Sequence, residues 1–472
     1  MARLFTEDEV RQLIDAAVAQ AIAPLLARIA ELEAEVARLK KNSATSSKPP
    51  SSDIVKPPRP APGGSRRRKR RQGGQPGHRR HTRAPFPPEQ VDQGWIYEWL
   101  ESEVGPDWEP LDEFRIVQQV ELVEKLFEVT EHCARLYRSR TTGEVIAAPL
   151  PDEVKLAGLI GPRLTALLAF QKGACHMSYT SIQTFLGDVV GLPLSTGQIA
   201  KVVQKASAAL GPCHAELQAS LPTQSVLDID ETGHPENGQR MWSWGFHVPG
   251  AQGFTWFHID PTRSTDVLYQ FLGEAFCGIV GCDYYSVYRK FLDETDAVMQ
   301  FCWAHLIRDV KFLTTLSDPA TRRYGEKLLA EIKTLFRLWH RRSETPTEKW
   351  DLAAQRAEKA VIHRARHAPQ RTEAQNIAKR FRDHATYYFT FLHVPGVEPT
   401  NNAMEQRMRF LAIDRKITQG TRGERGRRWC ERMWTVLATC VQQRRSAFKF
   451  LYQSLLAYFQ KQPYPSLLPL PP

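Results

Sequence analysis

The chain has 472 residues and a formal net charge of +11, from 63 lysines and arginines against 52 aspartates and glutamates. That length admits several domains and a large core, and that charge makes nucleic acid the expected partner ahead of acidic membranes. No apolar run is long enough to span a bilayer and Met1 to Glu9 lacks a signal-peptide core, so a cytoplasmic protein with no membrane partner is expected.

None of the eight cysteines forms a C-x-x-C pair. This argues against a disulfide framework and a four-cysteine zinc site, leaving reduced, mostly buried thiols as the expectation.

The first segment, residues 1–42, contains a helix over 8–41 with a heptad seam. Val18, Ile22, Leu25, Ile29, Leu32, Val36 and Leu39 alternate steps of four and three, with Glu31, Glu33, Glu35, Arg38 and Lys40 alongside. The pattern predicts a coiled coil and a homo-oligomer, with Pro24 as a kink or the true start. Residues 43–92 form a linker rich in Ser, Pro, Gly and Arg, which cannot bury a core. Within it Arg66, Arg67, Arg68, Lys69, Arg70 and Arg71 form a basic run suited to phosphates, whose contribution is blind to base sequence.

Residues 93–151 carry strand-like alternation from Phe114 to Leu122 and from Leu126 to Val129, predicting a small β-rich module. His132 and Cys133 are adjacent, which is poor spacing for one metal, and read as structural. Residues 152–220 are helical. In them Tyr179 to Val203 has helix-turn-helix grammar: an apolar helix ends near Gly191, and Ser195 caps a second whose Ile199, Val202 and Val203 face inward. This region is a candidate for binding double-stranded DNA.

From residue 221 to 304 the texture is α/β. Val226 to Thr232 is a strand with Asp228 and Asp230 on one face, and Leu227 and Ile229 on the other. Two Gly turns lead to strands at Met241–Val248 and Phe254–Ile259. A helix capped by Ser264 or Thr265 follows, then a buried-type strand ending at Asp283 and another over Ala297–Cys302. The order β-β-β-α-β is that of a ribonuclease-H-like domain, whose first and fourth strands are neighbours, so Asp230 and Asp283 should meet.

Two adjacent acids are tolerable chiefly around a cation. Glu405, at the start of a later helix, would complete a set for two Mg²⁺ ions, with Mn²⁺ as a substitute. Local alternatives stand beside this. With Asn402 as N-cap, Glu405 suits the helix dipole, and it could pair with Arg409 for about 0.3–0.5 kcal/mol. Asp230 could cap a turn and Asp283 a helix. Residues 305–398 look like a helical insertion, and 399–472 hold the rest of the domain with basic C-terminal helices. There Lys416, Arg422, Arg425, Arg427 and Arg428 are candidate phosphate contacts.

Six motifs together resemble the transposases of the insertion sequence 66 family. They are Asp230-Glu-Thr; Trp242-Ser-Trp244; Asp283-Tyr with Tyr288; Cys302-Trp-Ala-His305-Leu-Ile-Arg308; Asn401-Asn-Ala-Met-Glu405; and Lys416-Ile-Thr-Gln-Gly-Thr-Arg422. The resemblance runs through nearly the whole chain, including the Gly73-Gly-Gln-Pro-Gly77-His78 segment. It implies a multidomain α+β protein with a catalytic triad of Asp230, Asp283 and Glu405, which are also the metal ligands. It further implies cleavage and strand transfer on the DNA of element ends and target, aided by accessory proteins of the same element, at a bacterial nucleoid. Alternatives are a domesticated, non-catalytic DNA-binding protein, or a nuclease of the same fold that cuts without joining.

Members of that family commonly carry a zinc module with cysteine pairs after the Gly-Gly-Gln-Pro-Gly-His segment. No such pair lies around Trp95 to Glu103, so zinc is not expected there. Cys302 and His305 have ligand-like spacing without a second such pair, and read as structural groups near the active site. As a helix-opening residue, His305 has the alternative of contacting DNA or a metal-bound water.

Overall fold

The computed structural model describes residues 6–39, 86–97, 116–120, 122–123 and 125–468. The chain divides into two compact units, one of Met1–Pro57 with Cys133–Pro472 and the other of Pro58–His132. The basic run Arg66 to Arg71 lies outside the described residues.

Helix α1 (Glu7–Leu39) runs through Pro24, so this proline is not the helix start. A proline costs one backbone hydrogen bond, which an exposed helix tolerates better than a packed one. Val18, Ile22, Leu25, Ile29, Leu32, Val36 and Leu39 are all exposed.

In the smaller unit, Phe86 N–H donates to Gln118 Oε1 at 2.6 Å and Gln118 Nε2 donates to Phe86 O at 2.9 Å. The strands expected at 114–122 and 126–129 do not form among the described residues. Alternation makes a strand only where a partner supplies hydrogen bonds and a covered face; Ile116, Val117 and Val120 are exposed. The strands instead lie in the larger unit, as the exposed hairpin β1 (Leu136–Arg138) and β2 (Val145–Ala147). His132 and Cys133 are exposed.

Four helices follow: α2 (Asp152–Ala157), α3 (Pro162–Gly173), α4 (Tyr179–Phe185) and α5 (Thr196–Ser220). Helix α4 ends in a wide turn through Val190, closed by Gly191 at φ 76°. Ser195 caps α5 in a reciprocal box. Gln198 N–H donates to Ser195 Oγ at 3.2 Å, and Ser195 N–H donates to Gln198 Oε1 at 2.9 Å. Ile199, Val202 and Val203 are buried.

The sheet comprises β3 (Val226–Glu236), β4 (Gln239–His247), β5 (Thr255–Asp260), β6 (Ile279–Cys282) and β7 (Val298–Phe301), in the spatial order β5-β4-β3-β6-β7. β3, β4 and β5 form an antiparallel meander, and β6 and β7 continue it in parallel. Helix α6 (Asp266–Leu272) connects β5 to β6, and α7 (Ser286–Glu294) connects β6 to β7. The first and fourth strands are therefore neighbours. Leu227, Ile229, Trp244, Phe246 and Val280 join the main core.

Both sheet edges are closed by side chains. Helices α13 (Asn402–Thr418), α14 (Glu424–Gln442) and α15 (Ala447–Gln460) end the chain. Glu431, Thr435 and Thr439 lie one turn apart along α14. They accept the N–H groups of Ile259, Phe257 and Thr255 on β5 at 2.8, 3.0 and 3.1 Å. Every second N–H of an edge strand is unpaired, and this stripe satisfies them and blocks further strand addition. At β7, Gln300 Oε1 accepts Phe391 N–H at 2.8 Å, and Thr390 Oγ1 donates to Met299 O at 2.6 Å.

Those last partners end the helical stretch of α8 (Trp303–Leu313), α9 (Pro319–His340), α10 (Thr347–Arg366), α11 (Thr372–Asp383) and α12 (Thr390–His393). Trp303, fully buried, anchors it with Nε1 donating to Tyr388 O. Of the cysteines, Cys213, Cys282, Cys302 and Cys440 are buried, while Cys133, Cys175 and Cys277 are exposed, so fewer are buried than expected. Among the described residues no helix is long and apolar enough to cross a membrane.

Candidate active site

Strand register brings Asp230 and Asp283 together. In the parallel β3–β6 pair Asp228 lies opposite Gly281. Two residues further along each chain stand Asp230, still within β3, and Asp283, just past the end of β6. Gly281 is needed there, because a Cβ on it would lie 2.2 Å from Asp228 Oδ1. Asp230 Oδ1 accepts the N–H of Glu231, and Asp283 Oδ1 that of Tyr285, each at 3.0 Å.

Buried carboxyls crowd the site. Burial pushes the Asp230 carboxyl well above the usual carboxylate range, and Glu231, Asp283 and Glu405 push it further. Asp283 is pushed up to about 7, by burial first and then by Glu231. Asp228 also rises to about 7, by burial and then by Glu398. Hard oxygen donors crowded so that each disfavours its neighbour's charge are the donor set that a divalent cation relieves.

Glu231 is a site residue that sequence reasoning missed. It is buried, accepts from Arg263 Nε at 2.8 Å and is hydrogen-bonded by the Tyr288 hydroxyl. Arg263 is itself clasped between Tyr285 and Trp242, its guanidinium carbon 3.9 and 4.8 Å from the ring centroids. The available signal was alternation: next to Asp230, Glu231 must point to the core face, where an uncompensated carboxylate is costly.

Glu405 arrives on α13. The N-cap is Asn401 rather than Asn402, so Glu405 falls one position later than expected. The Asn401 side chain does not cap its own helix: its Nδ2 donates to Ile229 O at 2.9 Å, fastening the start of α13 to β3. Asn401 N–H donates to Cys302 Sγ at 3.2 Å, and Trp303 N–H to Pro399 O at 3.0 Å, which ties the same point to α8. The expected Arg409 pairing is not made. Arg308 on α8 donates to Glu405 Oε1 at 3.1 Å instead, and His305 Nδ1 lies 3.6 Å from that oxygen.

Asp230 and Glu405 therefore share an electrostatic neighbourhood with Asp283. They are not a tight three-atom cluster: among the described residues, Cys302, His305 and Glu405 are the set of three such side chains with donor atoms within 4.8 Å of one another.

The predicted phosphate contacts divide. Lys416, Arg422 and Arg425 are exposed and form no salt bridge among the described residues. Arg427 is drawn to Glu236 at 3.5 Å, and Arg428 to Glu431 at 3.2 Å, so internal acids already engage both. Arg422 and Arg425 line a cavity of about 790 Å³ with Lys172, His176, Gln204 and Trp429.

Comparison with known families gives the class first: residues 157–428 match a model for transposases. That model is of the transposase IS66 family, and since it spans more than half of the chain, the chain belongs to this family. Residues 2–84 match a family of unknown function, DUF6444. No curated protein matches. Among solved structures, the chain is similar at 12% identity to a chain of the simian T-cell lymphotropic virus intasome in complex with PP2A regulatory subunit B56 gamma. The match covers 49% of this chain and 77% of that one with a TM-score of 0.15, too low to carry any argument.

Proposed function

We propose that this IS66-family chain is a DNA transposase of the Asp-Asp-Glu type, with Asp230, Asp283 and Glu405 as its catalytic and metal-binding carboxylates on a ribonuclease-H-like domain. The observation that carries the reading is the β3–β6 register, with Asp230 and Asp283 each two residues beyond the Asp228–Gly281 pair and their carboxyls pushed above the usual range. Two Mg²⁺ ions, or Mn²⁺ in their place, would supply the Lewis acidity that activates an attacking oxygen and steadies a leaving one.

The chain's own groups do the rest. Asp230 and Asp283 present oxygen donors from a rigid sheet. Asn401 fixes the start of the helix that carries Glu405. Arg263 and Tyr288 hold the Glu231 charge on the core side, keeping it away from the reacting phosphate. Lys416, Arg422 and Arg425 grip the DNA backbone, with Arg66, Arg67, Arg68, Lys69, Arg70 and Arg71 adding affinity from the linker. Residues 8–41 pair subunits, and the α4–α5 region contributes to recognition of element ends. Such a protein works on the nucleoid, with accessory proteins of the same element.

The test is incubation of the full chain with Mg²⁺ and labelled element-end DNA. Joined strand-transfer products, absent for Asp283→Asn, are expected. Cleavage without joining would point to a nuclease, and binding without cleavage to a domesticated protein; either outcome defeats the proposal.

A further inference from the structure

Cys302 is the N-cap of α8. Asn401 N–H donates to its sulfur at 3.2 Å. One turn on, His305 holds its Nδ1 buried with no hydrogen-bond partner. An orphaned buried ring nitrogen is uncommon and calls for an explanation. The Glu405 carboxylate is close by. Its Oε1 is taken by Arg308, and that oxygen is 3.6 Å from His305 Nδ1, beyond hydrogen-bond reach. One donor atom from each of Cys302, His305 and Glu405 lies within 4.8 Å of the others.

We infer that Cys302, His305 and Glu405 form a transition-metal site of the Zn²⁺ class, set apart from the Asp230 and Asp283 pair by its sulfur and imidazole donors. Sulfur and imidazole donors select zinc-like ions, whereas Mg²⁺ takes oxygen ligands and keeps its waters. A cysteine and a histidine separated by two residues at a helix start, joined by one carboxylate, make three protein ligands and leave a fourth position open. Arg308 holds Glu405 Oε1, and the carboxylate supplies the third donor of the group. The third ligand comes from a helix far along the chain, which is why the Cys302–His305 spacing lacked a visible second pair. This site stands on its own geometry. It shares Glu405 with the proposed catalytic set but does not need that set to be active.

The experiment is Co²⁺ titration of the chelator-treated full chain, followed by absorption spectroscopy. A thiolate-to-cobalt charge-transfer band in the near ultraviolet, with visible bands of a tetrahedral ion, is expected, and Zn²⁺ should abolish both. Cys302→Ala should remove the charge-transfer band, and His305→Asn should weaken binding at least about tenfold. A wild-type protein that gives no charge-transfer band overturns the inference without recourse to any variant. A band that persists in folded Cys302→Ala does so too, since the sulfur would then be another cysteine. Strand transfer can fail while this band appears, so the two proposals are separable.

Discussion

Gly245 stands directly across the β3–β4 pair from Asp230, and a Cβ at Gly245 would lie 2.1 Å from the Met404 methyl on α13. The bare backbone at this position lets the helix carrying Glu405 settle against the strand carrying Asp230. Met404 is fully buried, and Phe257 Cε1 and Met408 Sδ would lie only 3.0 and 3.2 Å from the same added atom. Gly245→Ala therefore has little room to relax. A loss of about 1–3 kcal/mol in denaturant unfolding is expected from overpacking, with a larger relative loss in Mg²⁺-dependent cleavage. Unchanged stability and cleavage would show that α13 is not seated by this contact.

Glu405→Gln separates helix geometry from metal chemistry. The amide keeps the side-chain shape and can still accept from Arg308, so far-ultraviolet circular dichroism and affinity for element-end DNA should match wild type. Cleavage should fall by at least about a hundredfold, since a lost metal-binding carboxylate costs several kcal/mol of transition-state stabilisation. Full cleavage by this variant would remove Glu405 from the catalytic set.

What could be read in the sequence followed from how local each relationship is. The helix start at Ser195 and the acid at the end of β6 depend on neighbours within a few residues. The meeting of Asp230 and Asp283 depends on the spatial order of the strands, which was legible only through the likeness of the β-β-β-α-β succession to a ribonuclease-H-like domain. Glu405 shows the limit: helix-local rules offered Arg409, but the partner is Arg308, whose position is set by α8 packing. Glu231 was overlooked because Arg263 and Tyr288, which make its burial tolerable, come from later elements. At Phe114 to Leu122, alternation was present, but no covered face accompanied it among the described residues.

The pH dependence of the metal-free protein follows from Asp283. Its folded carboxyl titrates near 7, against about 3.9 in an unfolded chain. Between these values the native state holds the proton more tightly, so this group's contribution to stability falls as pH rises from about 4 to about 7. Asp283→Asn carries no such charge, and its Oδ1 can keep the Tyr285 hydrogen bond. Without metal, the variant should gain on wild type across that window by on the order of 4 kcal/mol, and be level with it near pH 4. Saturating Mg²⁺ at pH 7.5 or so should reverse the order, because only wild type offers the carboxylate. Thermal melts with and without chelator decide this, and a difference that does not vary with pH would be contrary to it.

Glu431 carries the protected edge of the sheet. It is fully buried on α14, accepts Ile259 N–H at 2.8 Å and lies 3.2 Å from both His258 and Arg428. Burial opposes its charge, yet these partners hold the carboxyl below its ordinary range. Glu431→Ala strips the acceptor from a buried strand N–H and removes the carboxylate beside His258 Nδ1. The expected cost is about 2–4 kcal/mol in urea unfolding. Glu431→Gln keeps an acceptor for Ile259 and should cost about half as much or less. Because the Ile259 N–H at the end of the β5 row is then uncovered, the alanine variant should also self-associate on concentration, visible by light scattering, while the glutamine variant should not. Equal stability of the two variants would mean that charge, rather than closure of the strand edge, is what Glu431 contributes.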